Sequence, residues 1–588
     1  MKKMISNCLT AFFVCSASLF AQDKFSPDWL TKFETSNYLE TERYDETMQY
    51  FKALDAASEY ATLFPIGKSP HGRDINCLVV SKDKSFSLEL SKQSGKPLVL
   101  IMCGIHSGEI EGKDASMLLL RDILVTKESE KYLDNVNLFV IPIFSVDGHE
   151  RFSEYNRINQ NGPIDMGWRT TAQNLNLNRD WMKADAPEMQ AMLKLVSAWQ
   201  PDFIVDTHTT DGADYQYQVT YGLEIYGNIY HGLAEWNKKK LIPEMISYVE
   251  SKGFPMFQYV GFKDWAQGVE SGIVDWASSP RFSTGYFAQQ NRICLLIETH
   301  MLKPYKDRVY STKAVLEAVL QIVNNNSTEL LQLNKNADEN SIKEFTIDKK
   351  YLPLNFKTND DFSFTNFKGY KFYHDSSAIS GGDKIVYTSE PQDFYVKLFN
   401  NVKPTDSVSI PNAYIIPQEY SSLVDKMKLH GISVSQISEE KQYQVTRYKF
   451  KNVKFDPFPY EGRQHVSFDY DTFREEVKIA AGSFIVPTDQ RTVRIIAQLL
   501  EPKSGDSFVQ WGLINAIFEQ KEYFENYVME KIAEEMLNNN KDLRKEFEEK
   551  LKSDESFRSN SYERLNFFYQ RSPYWDEQLN LYPIMRIE

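Results

Sequence analysis

Three short apolar runs in this chain each lead into a string of residues that can bind a metal ion. The runs are residues 98–103, 203–205 and 293–297, and the strings are His106-Ser107-Gly108-Glu109, Asp206-Thr207-His208 and Leu296-Ile297-Glu298-Thr299-His300. Short runs of this kind are typical of buried strands. Because ligands bind outside the carboxyl ends of the strands in an open α/β sheet, the three strings are expected to meet at one edge of a sheet.

Two imidazoles and one carboxylate are enough to hold a catalytic zinc ion and to leave a fourth position for water. His106, Glu109 and His208 are therefore the predicted ligands of one Zn²⁺ per chain. Glu298 is the predicted base, since an acid that closes a buried apolar run has to be paired, ligating or catalytic. Each string alone is weak evidence, because a histidine beside an acid is often an ordinary core residue.

The length and composition of the chain limit its domain number and its partners. A chain of 588 residues is expected to form two or three domains. Its 38 Phe, 33 Tyr and 9 Trp can fill sizeable cores, which argues against general disorder. The formal net charge is −14, and lysine and arginine form no continuous stripe, so no nucleic-acid partner is expected.

The first residues have the pattern of an export signal. Lys2 and Lys3 precede an apolar stretch over residues 9–20, so residues 1–21 are predicted to be a signal peptide of an exported protein, periplasmic or secreted. The stretch is shorter than the about twenty residues of a membrane-spanning helix, and no stable membrane span is expected after signal removal. The remaining cysteines are odd in number, which predicts buried thiols rather than a disulfide framework. They are Cys77, Cys103 and Cys294.

The rest of the chain divides into three segments. Residues 22–325 alternate apolar runs with amphipathic segments, as α/β folds do. Residues 326–344 are rich in polar residues and are predicted to be a linker. Residues 345–588 are predicted to form an α+β region of unknown function, which one interpretation divides into two subdomains near residue 465. Strands are predicted at 76–80, 97–103, 137–143, 203–207 and 293–298, and helices at 114–125, 187–199, 230–251 and 305–323.

Further motifs accompany the three strings along the chain. They are Gly67-Lys68-Ser69 with Gly72-Arg73, Ile141-Pro142-Ile143-Phe144-Ser145-Val146-Asp147-Gly148, Trp168-Arg169, Asn178-Arg179-Asp180-Trp181 and Gly272-Ile273-Val274-Asp275-Trp276. With them, residues 55–325 resemble the zinc carboxypeptidases of the carboxypeptidase A fold group. The resemblance implies a catalytic domain over residues 22–325, with a mixed central β-sheet flanked by helices. It also implies a metalloprotease that hydrolyses carboxyl-terminal residues from peptide substrates with a free terminal carboxylate.

The resemblance implies a role for each residue of the catalytic group. His106, Glu109 and His208 would ligate the zinc ion. Glu298 would take a proton from the attacking water and deliver it to the leaving amine. Arg169 would polarise the scissile carbonyl and stabilise the oxyanion that forms from it.

The resemblance also implies which residues bind the substrate. Asn178 and Arg179 would hold the terminal carboxylate, for which a planar guanidinium is well suited. Val274 falls at the position of the family's specificity pocket, and its apolar side chain would favour a neutral terminal residue. Tyr286 is the predicted tyrosine that caps the substrate, with Tyr259 as the alternative.

Two positions depart from the family's pattern. Asn176 stands where many members have the acid that orients the first zinc histidine, so a neutral partner and a less basic ligand are expected. Gly108 stands where the animal digestive members have an arginine, so one contact to an upstream subsite is expected to be missing.

Two other functions remain open from the sequence. The same zinc chemistry would serve an amidase that acts on cell-wall stem peptides or on N-acyl amino acids, because stem peptides also carry a free carboxylate. From a different class, the chain could be a non-catalytic peptide-binding relative. Retention of Glu298 together with all three predicted ligands argues against the second.

Overall fold

The computed structural model describes residues 29–210 and 212–588. The predicted signal peptide over residues 1–21 lies outside the described residues. Within the described ranges, no helix combines the length and the apolar character that a membrane crossing would need.

A mixed eight-stranded sheet forms the centre of the first half of the chain, in the order β1-β2-β4-β3-β5-β10-β6-β7. Strands β3, β4, β5 and β10 run parallel to one another, whereas β1 and β6 pair antiparallel to their neighbours β2 and β10. In chain order the strands are β1 (Ala61–Lys68), β2 (Asp74–Val80), β3 (Leu98–Cys103), β4 (Asn137–Ile141), β5 (Phe203–Thr210), β6 (Val219–Gly222), β7 (Met256–Gln258), β8 (Gly261–Phe262), β9 (Ile273–Val274), β10 (Ile293–His300), β11 (Tyr351–Thr358), β12 (Ser363–Ser376), β13 (Asp383–Phe399), β14 (Val402–Ser409), β15 (Ala413–Ile416), β16 (Ser435–Gln436), β17 (Lys441–Phe455), β18 (Val466–Ile479), β19 (Phe484–Pro487) and β20 (Met585–Ile587).

Helices cover both faces of this sheet, which confirms the predicted α/β class. They are α1 (Lys32–Thr35), α2 (Tyr44–Ala57), α3 (Leu88–Gln93), α4 (Glu111–Leu124), α5 (Val146–Glu150), α6 (Pro187–Trp199), α7 (His231–Trp236), α8 (Ile242–Ser251), α9 (Ser283–Gln289), α10 (Tyr305–Asn325), α11 (Ser327–Ile342), α12 (Ser421–Leu429), α13 (Val493–Leu500), α14 (Asn526–Asn539), α15 (Lys541–Ser553), α16 (Glu555–Ser559) and α17 (Ser561–Tyr569).

Alternate residues of the central strands enter two separate cores. Val99 and Ile101 of β3 pack in the core that contains α4 and α10. Leu100 and Met102 pack in the core that contains α6, α12 and α13. Because α12 and α13 come from the carboxyl-terminal half, that half covers one face of the central sheet.

Most of the predicted elements are confirmed. The strands predicted at 97–103, 203–207 and 293–298 are β3, β5 and β10, and the helix predicted at 187–199 is α6, with its proline in the first turn. The helix predicted at 230–251 is interrupted between α7 and α8 by a π-helical turn, Asn237–Leu241. The three remaining cysteines are buried free thiols, as predicted.

A packed helix and a shared sheet connect the two halves of the chain at the predicted linker. Residues 326–344 contain α11 rather than an extended connection, and Leu330 and Ala337 of this helix are fully buried. Strand β13 of the second half pairs with β9 of the first half, so one sheet spans the predicted boundary. A division near residue 465 would fall inside the hairpin of β17 and β18, which are paired along most of their length.

Candidate active site

The carboxyl ends of β3, β5 and β10 carry the predicted catalytic residues. Strands β5 and β10 are parallel neighbours, and their register sets His208 opposite Glu298. His106 and Glu109 lie in the turn between β3 and α4, which starts at Gly104 with φ of +67°. The three strings therefore meet at one sheet edge, as the sequence predicts.

His106, Glu109 and His208 form a compact group at this edge. One ligand atom from each residue lies within 4.8 Å of the others, as a shared metal ion requires. Oε2 of Glu109 lies 3.1 Å from Nδ1 of His106 and 2.9 Å from Nδ1 of His208. All three side chains are buried, so an ion bound here would have little competition from bulk water.

The outer nitrogen of His106 is held by Asn176. Nε2 of the ring lies 2.9 Å from Oδ1 of the amide, and an amide oxygen only accepts, so Nε2 carries the proton. Nδ1 then offers its lone pair to the centre of the group. Burial lowers the pKa of His106 to about 4, so this ring is neutral, as a metal ligand has to be.

The outer nitrogen of His208 is held by an acid. Nε2 lies 2.9 Å from Oδ2 of Asp206, an orientation that again turns Nδ1 toward Glu109. Burial opposes protonation, but Asp206 raises the pKa of His208 well above its ordinary value, so metal binding would displace a proton from Nδ1. Two oriented imidazoles and one carboxylate fit a zinc ion.

Two arginines contact the other oxygen of Glu109. Nη1 of Arg169 donates to Oε1 over 3.0 Å, and Nη2 of Arg157 donates to it over 2.8 Å. Burial opposes ionisation of Glu109, but the charge of Arg157 and the hydrogen bond from His208 hold its pKa well below the ordinary range. The carboxylate is therefore ionised despite its burial.

Arg157 is a site residue that no sequence motif marks. A Cβ atom at Gly108 would lie 2.7 Å from Cγ of Arg157, so a side chain at residue 108 and the observed path of Arg157 exclude each other. Arg157 thus occupies the space beside Glu109 that a side chain at residue 108 would need. Glycine at residue 108 leaves this space open, but it carries no information about which residue fills it.

The guanidinium of Arg179 is fixed by three contacts. Nε donates to the hydroxyl oxygen of Tyr460 over 3.1 Å, and Nη1 donates to the carbonyl of Asn178 over 2.6 Å. The group also lies over the ring of Phe282, 4.2 Å from its centre. Among the residues that the structure describes, no acid forms an ion pair with Arg179. The predicted carboxylate-binding arginine is therefore ordered and has no acidic partner.

A cleft of about 320 Å³ joins these groups. This volume falls within the usual range for small-ligand sites. The cleft is lined by the three predicted zinc ligands, the predicted base and the predicted polar substrate-binding residues. They are His106, Glu109, His208, Glu298, Arg169, Asn178 and Arg179.

Tyr286 does not reach the cleft, so the prediction that it caps the substrate is wrong. Its side chain is fully buried, its ring stacks on Trp181 with centres 5.1 Å apart, and its hydroxyl oxygen lies 3.0 Å from Nδ1 of His430. Helix α9 begins at the cleft with Ser283, and Tyr286 lies one turn further along, in the core. The alternative, Tyr259, does line the cleft.

Val274 does not line the cleft either. It pairs with Phe399 in the sheet that joins the two halves of the chain, whereas the next two residues, Asp275 and Trp276, face the cleft. Glu224 lines the same wall. The prediction that Val274 lines the specificity pocket is thus wrong, and this wall of the cleft carries two carboxylates instead.

Comparison with known families agrees with this geometry. Residues 47–224 match the family model described as zinc carboxypeptidase. Together with the curated relatives, this match supports a hydrolase that acts as a peptidase. The matched part of the enzyme includes the three predicted ligands together with Arg169 and Arg179, and it ends before Glu298.

Curated relatives of the enzyme include fungal proteins named Carboxypeptidase 2. The one from Trichophyton tonsurans is 22% identical over 494 residues, which cover 80% of this chain and 84% of the relative. The one from Trichophyton rubrum has the same identity and the same coverage. Since 80% of the enzyme is aligned, the similarity continues well beyond residues 47–224 into the carboxyl-terminal half.

Solved structures similar to the enzyme are metallo-carboxypeptidases of low sequence identity. The one from Burkholderia cenocepacia is 18% identical with a TM-score of 0.36, and the alignment covers 48% of this chain and 69% of that protein. The one from Pseudomonas aeruginosa, in complex with (2-guanidinoethylmercapto)succinic acid, is 17% identical with a TM-score of 0.36 and covers 49% and 69%.

Proposed function

We propose that this metallocarboxypeptidase is exported and hydrolyses carboxyl-terminal residues from peptides, with Glu298 as the general base. The observation that carries the proposal is one cleft that is lined by the predicted metal ligands, by Glu298 and by Arg179. A metal site, a base and an arginine without an acidic partner are the groups that hydrolysis next to a free carboxylate needs.

The position of Glu298 suits proton transfer. It lies opposite His208 in neighbouring strands, and the residue is 8% exposed at the wall of the cleft. From there the carboxylate takes a proton from the attacking water and later delivers it to the leaving amine. Zinc, held by His106, Glu109 and His208, would polarise the scissile carbonyl and lower the pKa of water toward about 7.

Two arginines take the negative charges of the substrate. Arg169 is partly exposed beside Glu109 and stabilises the oxygen of the scissile carbonyl as it becomes an anion. Arg179, together with Asn178, binds the terminal carboxylate at the other side of the scissile bond. The peptide therefore binds with its free end toward Arg179.

Mass spectrometry of a mixed peptide pool tests the proposed function. Purified enzyme is expected to give ladders shortened only from the carboxyl end, and a zinc chelator is expected to stop them. Release of acyl groups from N-acyl amino acids, or cleavage of cell-wall fragments, in place of these ladders would favour the amidase. Intact peptides after incubation with protein that holds one zinc ion per chain would contradict the proposal.

Replacement of Arg179 by Ala should weaken binding of peptides that end in a free carboxylate. Loss of a charge-assisted hydrogen-bond pair is expected to raise KM roughly ten- to hundredfold. Peptides with an amidated end lack the partner of Arg179 and should keep their KM. The exposed Arg474 offers a matched control, as Arg474→Ala. Equal effects of Arg179→Ala on both kinds of peptide would contradict the proposed carboxylate site.

We further propose that the enzyme prefers a basic terminal side chain. Glu224 and Asp275 line the cleft, and among the described residues neither forms an ion pair with a basic side chain. The cleft is thus positive near Arg179 and negative near these acids. A terminal lysine or arginine carries the matching charges, a carboxylate at one end and a cation at the other.

The preference predicts a specific dependence on pH. Burial raises the pKa of Glu224 to about 7, so this acid is protonated below pH 7 and ionised above it. The ratio of kcat/KM for peptides ending in Lys to that for peptides ending in Leu is expected to be roughly tenfold above pH 7 and to fall below it. Glu224→Gln should remove the pH dependence of the ratio. A ratio near one at every pH would contradict the assignment.

A further inference from the structure

The 456–465 loop, which joins β17 to β18 in the carboxyl-terminal half, contacts Arg179, and Arg179 lines the catalytic cleft. Its tip is a tight turn in which the amide of Tyr460 donates to the carbonyl of Arg463 over 2.9 Å and the reverse bond measures 3.0 Å. Glu461 and Gly462 have φ of +49° and +73°, as a two-residue type I′ turn requires. The backbone therefore fixes the positions of the residues at the tip.

The loop is anchored next to the cleft by its own contacts. Nε and Nη2 of Arg463 bind the two carboxylate oxygens of Asp185 over 2.9 and 2.6 Å, a paired geometry that holds both groups in register. The ring of Tyr460 stacks on the buried Trp511, with centres 6.0 Å apart and planes 13° apart. The loop thus has a defined position without any contribution from the hydroxyl group of Tyr460.

The tip makes two contacts with residues of the site. The hydroxyl oxygen of Tyr460 accepts a hydrogen bond from Nε of Arg179 over 3.1 Å. Oε2 of Glu461 accepts one from the backbone amide of Asn176 over 3.1 Å. Asn176 in turn holds Nε2 of His106, so adjacent residues of one loop support both the carboxylate site and a predicted metal ligand.

We propose that Tyr460 is a positioning residue of the active site, and that the carboxyl-terminal half thereby completes the subsite for the terminal carboxylate. This inference rests on the proposed role of Arg179. An arginine side chain samples many rotamers in solution, and a substrate would have to order it on binding. The bond from Nε to Tyr460, with the bond from Nη1 to Asn178 and the contact with Phe282, removes that requirement before the substrate arrives.

Removal of the hydroxyl group of Tyr460 distinguishes a positioning role of this residue from a structural role. A structural role would depend on the ring, which stacks on Trp511, and Phe keeps that ring. Tyr460→Phe therefore removes only the bond to Arg179. The matched control is Tyr527→Phe, which alters an exposed tyrosine of the same half.

Steady-state kinetics with one peptide, in its free-acid and amidated forms, tests the inference. Tyr460→Phe is expected to raise KM for the free-acid peptide about three- to tenfold, as loss of one hydrogen bond does. The values of kcat, the KM of the amidated form and Tm should stay at the wild-type level. Tyr527→Phe should match the wild type throughout.

The result for Arg179→Ala distinguishes failure of the proposed carboxylate site from failure of the positioning role of Tyr460. If this variant raises KM for the free-acid peptide and Tyr460→Phe does not, the positioning role of Tyr460 is overturned while the carboxylate site stands. If Tyr460→Phe changes KM equally for both forms of the peptide, its hydroxyl does not act through the carboxylate site, and the inference is again overturned. If Arg179→Ala has no selective effect, the proposed function itself is contradicted.

Discussion

Glu298→Gln is expected to abolish peptide hydrolysis while the protein keeps its zinc. Gln has nearly the same shape as Glu but cannot accept a proton at neutral pH, so the attacking water loses its base. General-base catalysis is worth about a hundred- to ten-thousandfold in rate, and kcat should fall by that factor. The substitution leaves the predicted ligands His106, Glu109 and His208 intact, and it keeps the backbone oxygen of residue 298, which accepts a hydrogen bond from the hydroxyl of Thr220.

Three measurements on the same preparation separate catalysis from folding. They are kcat with a free-acid peptide, zinc content per chain and Tm. Only kcat should change in Glu298→Gln, whereas Glu339→Gln, which alters an exposed helical residue, should change none of them. A variant at residue 298 with wild-type kcat would exclude Glu298 as the base.

The central sheet was predictable because its strands are buried on both faces. Every residue of β3 and nearly every residue of β10 is buried, so these strands appear in the sequence as continuous apolar runs. Polar residues directly after such runs have to lie at the sheet edge, which is why His106 and His208 could be assigned before the fold was known. Local sequence was sufficient to assign a site residue wherever the direction of the preceding strand alone sets the position of its side chain.

Contacts between distant segments were not predictable in the same way. Arg157 lies 48 residues from Glu109, and Tyr460 lies 281 residues from Arg179, and neither belongs to a pattern around the residue that it contacts. Tyr286 was misassigned because the sequence does not specify which side of α9 faces the cleft, and Tyr286 faces the core. Residues 326–344 were misjudged because α11 buries only a narrow stripe, in which Leu330 and Ala337 are two turns apart.

His208→Ala is expected to remove metal and activity together. Only His106 and Glu109 would remain as protein ligands, which is fewer than catalytic zinc sites use. Loss of a direct ligand should weaken zinc binding by more than the roughly ten- to hundredfold that loss of an outer contact costs. Activity at sub-micromolar zinc should then match that of chelator-treated wild-type enzyme.

The stability of His208→Ala has to be measured as well, because the substitution removes a partner of the buried Asp206. Its carboxylate is fully buried and would keep the hydroxyl of Ser283 but lose the imidazole of His208, and a buried acid without its partner is costly. Circular dichroism and Tm should therefore be measured beside zinc content, with the exposed His231→Ala as the matched control. Folded His208→Ala protein that binds zinc as tightly as the wild type would exclude this histidine as a ligand, because no change in folding could produce that result.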